Sequence, residues 1–180
     1  DKTLRKLEDL GISIISTNIK SFRDLENFES QLQKILVTKN KDFLENNLKS
    51  CFLNIDSSRN NKNVLALVSL KPMLSPNSQS WSGSLIKRFG FNNLTADLPS
   101  QGEFKGYLNI NQEWLLKNQP NNLLLVKTPG SSLDQYKSLT IWNKLSAVKN
   151  KKISGFDYYG FINPGSLSSI NKACKKLSNI

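Results

Sequence analysis

Two adjacent tyrosines, Tyr158 and Tyr159, follow the short run Lys152–Phe156 and precede Asn163-Pro164-Gly165-Ser166. The run reads as a strand, and the Pro–Ser group as the start of a final helix reaching about Leu177. Proline pre-sets φ at a helix start, where its missing N–H goes unused, and serine can cap. A loop between the carboxyl end of a strand and the next helix is where open α/β sheets hold ligands. Two large aromatics there can wall a flat or bulky ligand, or simply cover the end of the sheet. Trp81 and Tyr107 lie in or beside other loops that a parallel sheet gathers at one edge. Trp81, Tyr107, Tyr158 and Tyr159 are therefore the candidate contacts of a bulky amphipathic small molecule. Trp114 and Trp142 fall on helical segments and read as packing residues.

Other chemistry is sparse. The sequence has no G-x-x-x-x-G-K-[ST] phosphate loop, no G-x-G-x-x-G fingerprint and no G-x-S-x-G elbow. Ser82-Gly83-Ser84 sits at a loop-to-helix junction, where backbone donors could hold an anion or where a serine merely caps the helix. Glu103, Glu113, Asp134 and Asp157 form no pair at a recognisable catalytic spacing. Histidine is absent, which excludes His-based triads, His–metal clusters and a histidine switch. Cys51 and Cys174 are too few and too far apart for a C-x-x-C metal site. They could pair in an oxidising compartment if their helices pack together; otherwise they are two buried thiols. The expectation is a binding protein rather than an enzyme, with no catalytic residue, no resident metal and no cofactor.

The net charge of +11 raises the question of a nucleic-acid or anionic-surface partner. Its lysines are spread along the chain, with small clusters only at Lys149-Lys151-Lys152 and Lys175-Lys176, and there are four arginines and no arginine-rich arm. Lys, Asn, Ile, Leu and Ser dominate together, a bias typical of AT-rich coding, so no nucleic-acid partner is expected. No run approaches the ~20 apolar residues of a membrane span. There is no signal peptide, and the chain begins at Asp1 rather than Met, so it reads as processed or as a piece of something longer.

The elements that must position the aromatics follow from periodicity. Leu4–Leu10 has helical spacing and stops at Gly11, and Ile12–Ser16 is β-rich, like a late unit of a parallel sheet whose earlier strands are missing. Ser21 caps a helix Phe22–Val37, and a second helix covers about Lys41–Asn54. Asp56–Asn63 is polar and reads as a hinge. Val64–Leu70 and Asn121–Lys127 are apolar strands of the kind buried on both faces. Between them come a loop Lys71–Ser80, a helix Ser84–Phe89 ending at Gly90, a loop Gln101–Gly106, an extended piece Tyr107–Ile110 and a helix Gln112–Asn118. A helix Leu133–Leu139 and a helical connector Ile141–Val148 complete the chain before the last strand and helix. Strands alternating with helices predict a three-layer α/β/α lobe with a mostly parallel sheet.

Six segments, in order, resemble the helical-backbone periplasmic solute-binding proteins of ABC importers, the class that takes up ferric siderophores, haem and cobalamin. They are Leu7–Ile14, Gly83–Asn93, Leu108–Leu116, Asn118–Leu125, Trp142–Asn150 and Phe156–Ser166, the last similar to the iron-type subgroup. The resemblance implies a bilobed binder: residues 1–38 as the end of an incomplete first α/β lobe, 39–62 as a long connecting helix and hinge, and 63–180 as the second lobe. It implies an iron chelate of siderophore type as ligand, with corrinoid or haem as alternatives, and an ABC permease as the membrane partner. Trp81, Tyr107, Tyr158 and Tyr159 would face the cleft, and Glu113 matches the glutamate that docks on permease arginines. As an early-helix carboxylate Glu113 is also favoured by the macrodipole. Phe91 stands where the family has glycine and Asn111 where it has serine. The resemblance also implies a periplasmic, monomeric protein, lipid-tethered through a missing N-terminus. A Rossmann-like enzyme fragment is the competing reading; it predicts paired carboxylates or a phosphate nest at the sheet edge.

Overall fold

The computed structural model describes residues 2–36, 42–52, 62–101, 105–128 and 131–180. In chain order the helices are α1 (Lys2–Asp9), α2 (Phe22–Leu36), α3 (Phe43–Asn47), α4 (Trp81–Arg88), α5 (Gln112–Asn118), α6 (Leu133–Lys137), α7 (Ser146–Lys149), the single turn α8 (Tyr158–Phe161) and α9 (Leu167–Ser178). The strands are β1 (Asn63–Leu67), β2 (Ser69–Leu70), β3 (Met73–Pro76), β4 (Asn92–Asn93), β5 (Tyr107–Asn109), β6 (Asn122–Lys127) and β7 (Ile153–Asp157).

The apolar runs in β1 and β6 behave as strands covered on both sides must, sending successive side chains to opposite faces. Val64, Ala66, Leu124 and Val126 enter one core with Trp81, Leu85 and Ile86 of α4 and Ile170, Ala173 and Leu177 of α9. Leu65, Leu67, Leu123 and Leu125 enter the other, with Leu115 of α5, Tyr136 of α6, Leu145 and Ala147. The sheet between these layers runs β4-β1-β6-β7, every pair parallel. This is the expected α/β/α lobe.

Three local expectations change. The single strand Val64–Leu70 breaks at Val68: β1 stays in the parallel sheet, while β2 turns into a second, antiparallel sheet ordered β2-β3-β5. The loop anticipated at Lys71–Ser80 contains β3, whose Pro76 lies opposite Tyr107 at its inner end. Ile12–Ser16 is not a strand, and no described strand lies beside it; Ile12 and Ile15 are exposed. A strand with no ladder partner leaves its backbone groups to water.

The anticipated helix over Lys41–Asn54 is α3 followed, after Leu48, by a 3₁₀ turn at Lys49–Cys51; Lys41 and residues 53–61 lie outside the described residues. This segment is fastened to the lobe. Cys51 and Cys174 form a disulfide with Cα atoms 5.0 Å apart, making the pairing that the sequence left open. The Ser50 N–H donates to Asn171 Oδ1 of α9 at 3.0 Å. The Arg88 guanidinium lies 3.9 Å from the Phe22 ring centroid and 4.8 Å from that of Phe52, and its Nε donates to the Cys51 carbonyl at 2.8 Å. Phe22 and Leu25 at the start of α2 are thereby buried in the same core as α4 and α9.

On the opposite face Tyr136 ties the ends of two strands together. Its ring is fully buried, and its hydroxyl donates toward the carbonyls of Leu67 (2.9 Å) and Val126 (3.1 Å). Burial pushes its pKa up to about 12, against a smaller downward pull from Ser131. An unfolded tyrosine ionises near 10, so the folded chain holds this proton more tightly. The resulting stability is complete below pH 10 and is lost as pH rises toward 12. Tyr136→Phe is expected to cost about 1–3 kcal/mol at pH 7, the range for leaving buried carbonyls without their donor. It should also flatten part of the decline in urea midpoint between pH 10 and 12. A variant with the wild-type midpoint at pH 7 and the wild-type decline would refute this role.

Candidate functional site

The site is built around Gly160. At the carboxyl end of β7 the chain passes through Asp157 into α8, where Gly160 takes φ +91° and Tyr159 leaves helical geometry. A Cβ at Gly160 would stand 2.0 Å from the Ser169 carbonyl oxygen of α9, so only glycine fits this close approach. The kink turns both preceding tyrosines outward. Tyr158 is 40% exposed and Tyr159 63%, and their rings meet edge-to-face at 5.4 Å and 87°.

Trp81 lies beneath this turn. Its indole N–H donates to the Gly160 carbonyl at 2.9 Å, and its ring stacks on Phe22 with centroids 6.2 Å apart. At 3% exposure it offers no open wall in this arrangement. In this arrangement it underpins the turn, since a large ring with its one donor satisfied gains most from full burial. Tyr107, at the start of β5, is half-buried against the core of α4 and α9. Burial raises its pKa, opposed by a hydrogen bond with Ser82 and reinforced by the neighbouring Tyr158. The structure thus brings Trp81, Tyr107, Tyr158 and Tyr159 together from α4, β5 and α8.

Glu113 is not part of this cluster. It is exposed in the first turn of α5, beyond the far end of β5 from Tyr107. Asn111 caps that helix by accepting the Trp114 N–H at 2.8 Å, which a serine there would also do. Trp142 is buried and Trp114 packs against the same core, as expected.

Next to Trp81 and Tyr107, between β3 and α4, lies a polar network whose individual bonds could not be read from residue types. The Asn77 side chain donates to the Leu98 carbonyl (2.8 Å) and to Ser100 Oγ (3.1 Å), and accepts the Gln79 N–H (2.9 Å). Thr95 and Asn93 both donate to the Pro76 carbonyl, at 2.8 and 2.9 Å. Ser80, rather than a residue of the Ser82–Ser84 triplet, caps α4 by accepting the Gly83 N–H at 3.0 Å. That N–H is therefore unavailable to an anion, and the helix-cap reading of this junction is the one that applies. Gly83 is also sterically required: its Cβ would fall 1.9 Å from the Asn77 carbonyl oxygen. The available signal was Pro76-Asn77-Ser78-x-Ser80, a cluster of turn and cap formers before an apolar helix.

Among the described residues no group of three or more Cys, Asp or Glu side chains could hold a metal ion, and no helix is long and apolar enough to cross a membrane. No protein-family model matches the sequence, and no curated protein does. Solved structures do match. A possible iron-binding (periplasmic solute-binding) protein from Staphylococcus epidermidis is 20% identical, with 99% of this chain covering 69% of that one at a TM-score of 0.76. The periplasmic haem-binding protein HutB of Vibrio cholerae is 17% identical, with 99% and 71% covered and a TM-score of 0.75. The periplasmic vitamin B12-binding protein BtuF of the same organism is 19% identical, with 98% and 69% covered and a TM-score of 0.61. The chain has the fold of these periplasmic solute-binding proteins.

Proposed function

We propose that the chain is the ligand-holding part of the solute-binding component of an ABC importer, and that its ligand is an iron chelate of siderophore type. The observation that carries this reading is the exposed edge-to-face pair Tyr158–Tyr159 at the carboxyl end of β7, on a fold shared with binders of iron, haem and vitamin B12. Such a pair supplies stacking area at low conformational cost, which suits the flat or bulky face of a chelate. Tyr107 forms the inner side of this wall, and Trp81 holds the turn from below. Haem and corrinoid are the alternative ligands on the same surface.

In this reading the protein works by capture and delivery, without catalysis, as a periplasmic monomer. Glu113 is the permease contact. Residues 1–38 are the end of a first lobe, 39–62 the connector and 63–180 the second lobe. Exposed Leu10, Ile12 and Ile15 are the kind of surface that such a lobe would cover.

The test is tyrosine and tryptophan fluorescence during titration with a panel of ferric siderophores, haem and cobalamin, corrected for ligand absorbance. Saturable quenching by one class is expected. Replacing both Tyr158 and Tyr159 with alanine should weaken it on the order of tenfold or more, as loss of a stacking anchor does, while the urea midpoint stays near wild type. Quenching that never saturates, or that survives the double replacement, would reject the aromatic wall.

A further inference from the structure

A small polar pocket of about 90 Å³ opens beside Tyr159, bounded by Phe156, Asp157, Ser169, Lys172 and Lys176. Its volume is well under the ~300–1,000 Å³ of sites that hold a whole ligand, so it accommodates a functional group rather than a molecule. The cations in it are not equivalent. Lys176 is committed: its Nζ donates to the Gly155 carbonyl at 2.9 Å and lies 3.8 Å from Asp157 Oδ2. The Lys172 ammonium makes no hydrogen bond or ion pair with the described residues.

Position on the helix separates them further. Lys175 and Lys176 occupy the last turn of α9, where the macrodipole favours positive charge. Lys172 lies a turn earlier and gains little from that field. It also stands four residues from Lys176, a like-charge spacing that disfavours an isolated helix. Lys172 and Lys176 against Asp157 leave the pocket with one net positive charge. Ser169, one turn before Lys172, adds a hydroxyl on the same side; its Oγ is 3.0 Å from that of Ser166 and can still donate outward.

We propose that this pocket is an oxyanion subsite. Lys172 and Ser169 bind a carboxylate or phosphate group, with the fixed charge of Lys176 behind it. Resting on the chelate reading, the ligand lies with its ring or metal-bearing face on Tyr158–Tyr159 and places an anionic arm here. The ligand class is thereby narrowed to anionic chelates.

The probes are citrate and inorganic phosphate, added at constant ionic strength to the ¹⁵N-labelled chain and followed by amide shifts. Saturable shifts confined to Ser169, Lys172 and their neighbours are expected. Lys172→Gln should weaken binding roughly threefold to tenfold, the scale of one charge-assisted bond at an exposed site. Lys175→Gln, on the same helix but outside the pocket, should change little. Tighter citrate than phosphate identifies a carboxylate arm, and the reverse a phosphate arm; either supports the subsite. Equal losses in the two lysine variants, or shifts that never saturate, overturn it. Chelate quenching that persists at full strength in Lys172→Gln overturns the subsite and leaves the chelate reading standing. A citrate site without any chelate quenching does the opposite.

Discussion

Replacing Cys51 and Cys174 together with alanine is expected to lower the unfolding free energy by about 2–5 kcal/mol, with the same loss when the wild-type chain is unfolded in reductant. The bond joins residues separated by 123 positions, so it closes a very long loop in the unfolded chain. In the chain-entropy account that length places the effect at the upper part of the range. Alanine is preferred to serine because Cys51 is 2% and Cys174 0% exposed, and a hydroxyl would be buried without an assured partner. Against the ~5–15 kcal/mol of an ordinary domain, the loss removes a large share of the margin. Urea unfolding reads it directly: a lower midpoint, with a steeper m-value because the unlinked denatured chain exposes more surface. Superimposable oxidised and reduced curves would mean that the bond does not form in solution. An intact bond would need an oxidising compartment, which the periplasmic location proposed above supplies.

That bond illustrates which features the sequence carried and which it did not. The parallel sheet was legible because Val64–Leu67 and Leu123–Val126 are apolar at every position, a pattern that only double-sided burial satisfies. The helix starts at α5 and α9 were legible from Asn111 and Ser166, residues whose short oxygen-bearing side chains accept the third following N–H. The disulfide was not, because Cys51 and Cys174 meet only through the packing of the 3₁₀ turn on α9, which no local pattern encodes. The strand β3 was hidden for a related reason. Pro72 and Pro76 read as loop formers, yet Pro76 is the last residue of the middle strand β3, past its pairing with β2 and opposite only Tyr107, where its missing donor is tolerated.

The aromatic site divides in the same way. That Tyr158 and Tyr159 stand at the carboxyl end of a parallel strand follows from chain order alone. That Trp81 is a buttress depends on Gly160, which leaves the indole N–H a carbonyl to meet. Lys172 and Ser169 shared a spacing of three on one helix face, a signal present in the sequence but indistinguishable there from an ordinary solvated face.

Gly160→Ala should have the largest effect of any single replacement near the site. The new Cβ meets the Ser169 carbonyl oxygen at 2.0 Å, and the neighbouring Ser169 carbon and Ile170 nitrogen are 2.4 and 3.0 Å away. All three are backbone atoms of α9 and cannot swing aside as a side-chain tip would. At φ +91° a residue with a Cβ is strained even in open space, by about 1–3 kcal/mol. Adding the displacement of α9 or of the turn brings the expected loss to about 3–5 kcal/mol. The alternative to that loss is a shift of the turn away from α9. Such a shift would move the Gly160 carbonyl from Trp81 Nε1 and leave a buried donor unpaired, at about 1–3 kcal/mol. Both routes disturb the orientation of Tyr158 and Tyr159. Tyr159→Ala is the matching control, because its ring is 63% exposed and its removal should move stability by less than about 1 kcal/mol. Urea midpoints and chelate quenching measured on both variants separate a residue that shapes the wall from one that is the wall. Gly160→Ala should lose stability and quenching together, and Tyr159→Ala quenching alone. A Gly160→Ala chain as stable as wild type would show that α8 does not approach α9 as closely as this arrangement requires.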